Sequence, residues 1–114
     1  MHELSIAQAL VDEVEQIRIR ENAAGVVSVT VDIGALSGVE QESLEFVFPL
    51  ATDGTGMANA ALVIRKTDAE VTCDECGNES RPHLENIRCG VCGSEQVRIT
   101  GGRSVIIRSI ELQT

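Results

Sequence analysis

Four cysteines stand in two pairs, Cys73-Asp74-Glu75-Cys76 and Cys89-Gly90-Val91-Cys92, with twelve residues between the pairs. Two residues between cysteines let one tight turn present both sulfurs to a single ion. Backbone N–H groups beyond the second cysteine can then point at its sulfur, and the glycines that follow, Gly77 and Gly93, suit the positive φ such turns need. Two such turns facing each other make a closed tetrahedral sulfur site, the chemistry of structural zinc. A closed site keeps no open position, so it performs no hydrolysis. Iron is the competing metal, because rubredoxin-type electron carriers use the same pair of turns. Those sites are packed by aromatic rings, and this segment has none. The flanking Asp74, Glu75, Glu79 and Glu85 argue against a zinc ribbon that binds nucleic acid. His83 lies between the pairs and reads either as an exposed loop residue or as an alternate metal ligand.

The second group with chemistry opens the chain: Met1, His2 and Glu3. A bulky second residue blocks removal of an initiator Met, so Met1 is expected to supply a free α-amine. That amine, the His2 amide nitrogen and the His2 imidazole can close adjacent chelate rings around one ion. Deprotonated amides combined with imidazole favour square-planar nickel or copper(II). Glu3 could add its amide nitrogen or its carboxylate. On spacing alone, His2 and Glu3 could equally just precede a helix whose positive end Glu3 favours. The H-E-x-x-H zinc-protease pattern fails, because position 6 is Ile6.

Regular elements must position these groups. Ile6, Leu10, Val14 and Ile17 recur at helical spacing, with Ala7 and Val11 widening the stripe, so residues 4–22 read as a helix that Gly25 stops after Asn22. Val27, Val29, Val31 and Ile33 alternate with polar residues, which predicts a half-buried strand over 26–34. A second helix follows from about Glu40 to Thr52, with Leu44, Val47 and Phe48 facing the core, and Pro49 predicts a kink or early stop. Residues 60–66 and 104–112 read as two further strands, the last with Ile106 and Ile110 on one side. The segment from Glu70 to about Thr100 holds all four cysteines and few large apolar residues, so it needs a staple to fold. The fold class is therefore α/β: a two-layer unit of two helices on a three-stranded sheet, with a small zinc-ribbon-like four-cysteine insert. We assign residues 1–69 with 99–114 to the α/β domain and 70–98 to the zinc-binding domain.

Composition excludes several classes. The 114 residues carry a net charge of −9, and 43% are hydrophobic while only 2% are aromatic. An aliphatic core is affordable. The acid is concentrated at the front: residues 1–60 hold ten Asp or Glu against two Arg, and the rest holds eight against seven basic residues. Such a chain repels phosphate backbones and lacks rings for stacking bases, so no nucleic-acid partner is expected. No stretch approaches the roughly 20 apolar residues of a bilayer span, and the start lacks a secretory-signal layout, so no membrane partner is expected. A reducing cytoplasmic location follows, where cysteine pairs favour metal over disulfides. There is no Ser/His/Asp set and no phosphate loop, so the chain does not read as an enzyme.

Taken together, the opening Met1-His2-Glu3-Leu4-Ser5-Ile6, the stretch from Val31 to Val39, the pattern Glu42, Leu44, Phe46 and Phe48, the paired cysteine turns ending Cys92-Gly93-Ser94, and Gly102 with Ser109-Ile110-Glu111 resemble the HypA/HybF nickel chaperones of hydrogenase maturation. The resemblance covers the whole chain. It implies nickel bound at Met1, His2 and Glu3 and a structural zinc on Cys73, Cys76, Cys89 and Cys92. It also implies transfer of nickel, with a hydrogenase-maturation GTPase, to the large subunit of nickel-iron hydrogenase; some relatives also serve urease. One departure is Gly90, where the family often has Pro after its third cysteine. Two other readings remain open at this point: a zinc-stapled protein-interaction adaptor and a rubredoxin-like electron carrier.

Overall fold

The structure, a computed structural model, describes residues 2–114. Helix α1 spans His2–Arg20 and turns Glu3, Ala7, Leu10, Val11 and Val14 inward, the three-and-four spacing that keeps one face apolar. Its end is set by Asn22, which takes a left-handed φ of 54°. The Ala23 N–H then donates to the Arg18 carbonyl at 3.0 Å and the Asn22 N–H to the Ile19 carbonyl at 3.1 Å. This pair of bonds closes the last turn, so Asn22 does the work that the sequence assigned to Gly25.

Strand β1 runs Gly25–Gly34, helix α2 Gln41–Thr52 and strand β2 Ala61–Thr67. Helices α1 and α2 pack on each other. Ala7, Leu10, Val11, Val14, Val29, Val31, Leu44, Phe48 and Met57 are buried, so the core is aliphatic apart from one ring. Pro49 does not stop α2 early. The helix continues through Thr52, whose hydroxyl donates to the Pro49 carbonyl at 3.2 Å. Pro49 has no N–H to give the Glu45 carbonyl, so the helix runs on to Thr52 with that ladder bond missing.

Three strands lie in what the sequence offered only as an insert. They are β3 (Glu70–Cys73), β4 (Glu79–Ser80) and β5 (Val97–Gly101); β6 (Val105–Gln113) follows. There are two three-stranded sheets, ordered β2-β1-β6 and β4-β3-β5. In the first, the Ala24 N–H donates to the Gln113 carbonyl and the Gly34 N–H to the Ser104 carbonyl, so β1 and β6 run antiparallel. In the second, β3 is central and antiparallel to both neighbours, with a bulge between Glu70 and Val71. The sidedness of two residues is also corrected. Val27 and Ile106 are exposed, whereas Val26 is buried and Ile110 half-buried. Along β6 the in-out alternation slips at Arg108 and Ser109, both exposed, which puts Ile106 and Ile110 out of phase.

The chain divides into two compact units, residues 1–31, 39–65 and 106–114, and residues 32–38 and 66–105. Within the second unit, main chains cross at van der Waals distance. The Leu36 N–H donates to the Gly102 carbonyl at 2.6 Å, and the Ala35 N–H to the Thr67 carbonyl at 2.9 Å. Gly102 has φ +86°, and a Cβ on it would meet the Ala69 Cα at 2.7 Å. A Cβ on Gly34 would collide with the Gly102 carbonyl group. Two glycines allow this crossing because neither carries a side chain.

Candidate metal centres

Cys73 ends β3, and the chain turns sharply through Cys76 to Gly77, whose φ is +75°. The second knuckle repeats the first. Gly93 has φ +77°; the Gly77 and Gly93 N–H groups donate to the Cys73 and Cys89 carbonyls, each at 3.0 Å. The Cys73 N–H donates to the Asn78 carbonyl and the Cys89 N–H to the Ser94 carbonyl, at 3.0 and 2.9 Å. Positive φ at both glycines is what the sequence predicts. The Ser94 N–H reaches the second-cysteine sulfur of Cys92 as expected, and in each knuckle two further amides, not expected from the sequence, serve the first cysteine. The Cys73 sulfur accepts from the Glu75 and Cys76 N–H groups, both at 3.4 Å. The Cys89 sulfur accepts from Val91 and Cys92, at 3.3 and 3.4 Å. Between the knuckles, the Gly90 N–H donates to the Ser80 hydroxyl oxygen at 2.8 Å, and the Asp74 N–H to the Gln96 carbonyl at 2.8 Å. A proline at position 90 could not make the first of these bonds.

The four sulfurs all lie within 4.8 Å of one another, with Cys73–Cys92 and Cys76–Cys89 each at 3.6 Å. All four cysteines are free, and 3.6 Å is far too long for a disulfide. Four thiolates about 2.3 Å from a central ion would sit about 3.8 Å apart, so the cage fits one tetrahedral metal such as zinc. The amides prepare the charge. The Cys92 and Val91 N–H groups hold the Cys89 thiol down to about 6. Cys73 is lowered in the same way, mainly by the Cys76 N–H. Cys92 receives the Ser94 N–H, which lowers it, but the neighbouring sulfurs and burial push it up to about 12. Negative charge therefore settles first on Cys73 and Cys89, and a bound dication would draw the remaining protons off. His83 is exposed in a loop bridged to Asn86 and does not belong to the converging group.

At the other candidate centre, Met1 lies outside the described residues. His2 is exposed in the first turn of α1, and Glu3 behind it is buried, with its carboxylate 3.5 Å from the His2 Nε2. The Glu40 N–H, 37 residues away, donates to the Glu3 carboxylate at 3.2 Å. That bond, helped by His2, holds Glu3 down to about 2, so it is charged at neutral pH. The sequence marks Glu40 only as the approximate start of the second helix, and nothing local in it announces the contact with Glu3. Beside this turn lies a groove of about 520 Å³ lined by Glu3, Leu4, Glu40, Glu42, Ser43, Phe46 and Val47.

Residues 1–112 match a family model described as "Hydrogenase/urease nickel incorporation, metallochaperone, hypA". A hydrogenase maturation factor HypA from Nitrosospira multiformis is 42% identical, the match covering all of this chain and 99% of that one. Another, from Aquifex aeolicus, is 37% identical over 99% of this chain and 98% of its own. The solution structure of the nickel metallochaperone HypA from Helicobacter pylori superposes with a TM-score of 0.74 at 26% identity, covering 99% of this chain and 98% of that one. The two helices, the three-stranded sheets and the clustered cysteines agree with that fold, and the family is one of chaperones, not enzymes. With the match running essentially end to end, this chain belongs to the HypA family of nickel-incorporation metallochaperones that serve hydrogenase maturation.

Proposed function

We propose that this chain binds nickel through Met1, His2 and Glu3 and delivers it for maturation of nickel-iron hydrogenase. The observation that carries the proposal is the placement of His2 and Glu3 in the first turn of α1, with the imidazole exposed. A helix leaves the N–H groups of its first turn outside its own hydrogen-bond ladder, so replacing those protons with a metal breaks no ladder bond. The donors are the Met1 α-amine, the His2 amide and imidazole, and the Glu3 amide. The Glu3 carboxylate is already bound by the Glu40 N–H, which orients the turn and leaves the backbone nitrogen as its contribution. These ligands must lose protons to bind, so affinity falls with acid, and an exposed site can be stripped by a partner.

In this proposal Cys73, Cys76, Cys89 and Cys92 hold a structural zinc. Residues 70–98 form the zinc-binding domain, and residues 1–69 with 99–114 the nickel-binding domain. The partners are a hydrogenase-maturation GTPase and the hydrogenase large subunit, in the cytoplasm. That no helix of the described residues is long and apolar enough to cross a membrane is compatible with this.

The test is calorimetric nickel titration of untagged, zinc-loaded protein beside His2→Ala. The expected result is binding by the wild type, none by the variant, and one zinc retained in both. Equal binding by both would remove the terminal site.

A further inference from the structure

The four cysteines are not equivalent. Cys73 and Cys89 are 2% and 4% exposed, while Cys76 and Cys92 are exposed to solvent. Hydrogen bonding follows the same division. Each buried sulfur accepts two backbone N–H groups. The Cys76 sulfur has the Asn78 side-chain amide at 3.5 Å, and Cys92 the Ser94 N–H. Hydrogen bonds to a thiolate spread its charge and lower its nucleophilicity, and burial blocks approach. Each close sulfur pair, Cys73–Cys92 and Cys76–Cys89, joins one shielded and one exposed member at 3.6 Å.

We propose that Cys76 and Cys92 form a reactive edge of the sulfur cage, the site at which soft electrophiles and peroxide-class oxidants enter. In the zinc-loaded protein, where a bound dication would keep all four sulfurs deprotonated, the Cys92 thiolate sulfur attacks one oxygen of a peroxide. The O–O bond breaks, hydroxide leaves, and a sulfenic acid remains on Cys92. The Cys73 thiolate then attacks the Cys92 sulfur, the S–O bond breaks, and a second hydroxide leaves. The two sulfurs have lost two electrons to one peroxide and are joined by a disulfide. Cys76 and Cys89 repeat the sequence with a second peroxide. Each disulfide removes two metal ligands, so oxidation empties the cage. The cysteine centre thus doubles as an oxidant-sensitive clasp. The proposal rests on the zinc assignment above.

The test uses the full zinc-loaded chain. Substoichiometric N-ethylmaleimide is added, the reaction is stopped early, and labelled cysteines are located by fragmentation of the tryptic peptides. Cys76 and Cys92 are expected to label at least about tenfold faster than Cys73 and Cys89, the factor that one extra hydrogen bond to a charged sulfur represents. Uniform labelling, or labelling of Cys73 and Cys89 first, overturns the proposal. In a parallel arm, hydrogen peroxide is titrated with zinc release read by a chromogenic chelator. Disulfides Cys73–Cys92 and Cys76–Cys89 are expected; pairing of Cys73 with Cys76 overturns the pathway. Zinc content of the starting protein, measured separately, tests the zinc assignment alone.

Discussion

Gly102→Ala should be among the most damaging single-methyl additions in the chain, and the cost can be assembled from two parts. Position 102 sits at φ +86°, a left-handed conformation that costs an L-residue about 1–2 kcal/mol. The new Cβ would also meet the Ala69 Cα and the Asp68 carbonyl oxygen, each at 2.7 Å. Both are main-chain atoms, so relief requires moving backbone, and overpacking of this kind costs about 1–3 kcal/mol. The sum is about 2–5 kcal/mol, a large share of the roughly 5–15 kcal/mol by which a domain is stable. Gly54 supplies the control. It has φ +78° with nothing within 4 Å of its would-be Cβ, so Gly54→Ala carries the conformational part alone. Urea denaturation followed by far-UV circular dichroism, on zinc-loaded protein, gives both numbers. If Gly102→Ala is no less stable than Gly54→Ala, the close crossing contributes nothing and the reasoning is refuted.

Other consequences are as direct. Asn22→Val should destabilise by about 1–2 kcal/mol, because a β-branched side chain resists φ 54°, while Asn22→Gly should be nearly neutral; thermal melts compare the two. Leu44→Ala removes a fully buried side chain and should cost about 2–5 kcal/mol in the same denaturation assay. Glu3 is held down to about 2 from an ordinary 4.5, so its contribution is fully present above pH 4.5 and is lost as pH falls toward 2. Melting temperature should therefore fall more steeply over that window in wild type than in Glu3→Gln; parallel curves would show that the Glu40 contact is energetically silent. Chelating the zinc proposed for the cysteine cage should raise hydrogen exchange first within residues 70–98, since that segment has little apolar core of its own; uniform loosening would contradict the stapling argument.

What the sequence reveals here follows the range of the interactions. The knuckles were legible because two-residue spacing and a following glycine determine a turn locally, and Gly77 and Gly93 take the positive φ expected of them. The helices were legible from apolar periodicity, with α1 burying Ala7, Leu10, Val11 and Val14. What escaped depends on partners distant in the chain. The bond from the Glu40 N–H to Glu3 joins residues 37 apart, and the phase slip in β6 has no local marker. The second sheet escaped for another reason. Strands β3 to β5 are two to five residues long, too short for the alternation of Val71 and Cys73, or of Val97 and Ile99, to stand out as strands in the sequence. Asn22 was passed over for Gly25 because glycine is the commoner left-handed residue, although asparagine serves as well.

The strand order β2-β1-β6 has a bearing on how the chain is made. The central strand ends at Gly34 and its partner begins at Val105, roughly 70 residues later. Closing a loop of that length costs about 4 kcal/mol in chain entropy, against about 3 kcal/mol for the twenty residues from Cys73 to Cys92. On entropy alone the cysteine cage can therefore close before strand β6 pairs with β1. The β2-β1-β6 sheet stays incomplete until that distant pairing is made. A chain lacking residues 105–113 would lose the partner of β1 while keeping all four cysteines. Order in the first sheet thus depends on a contact far longer in range than any within the sulfur cage.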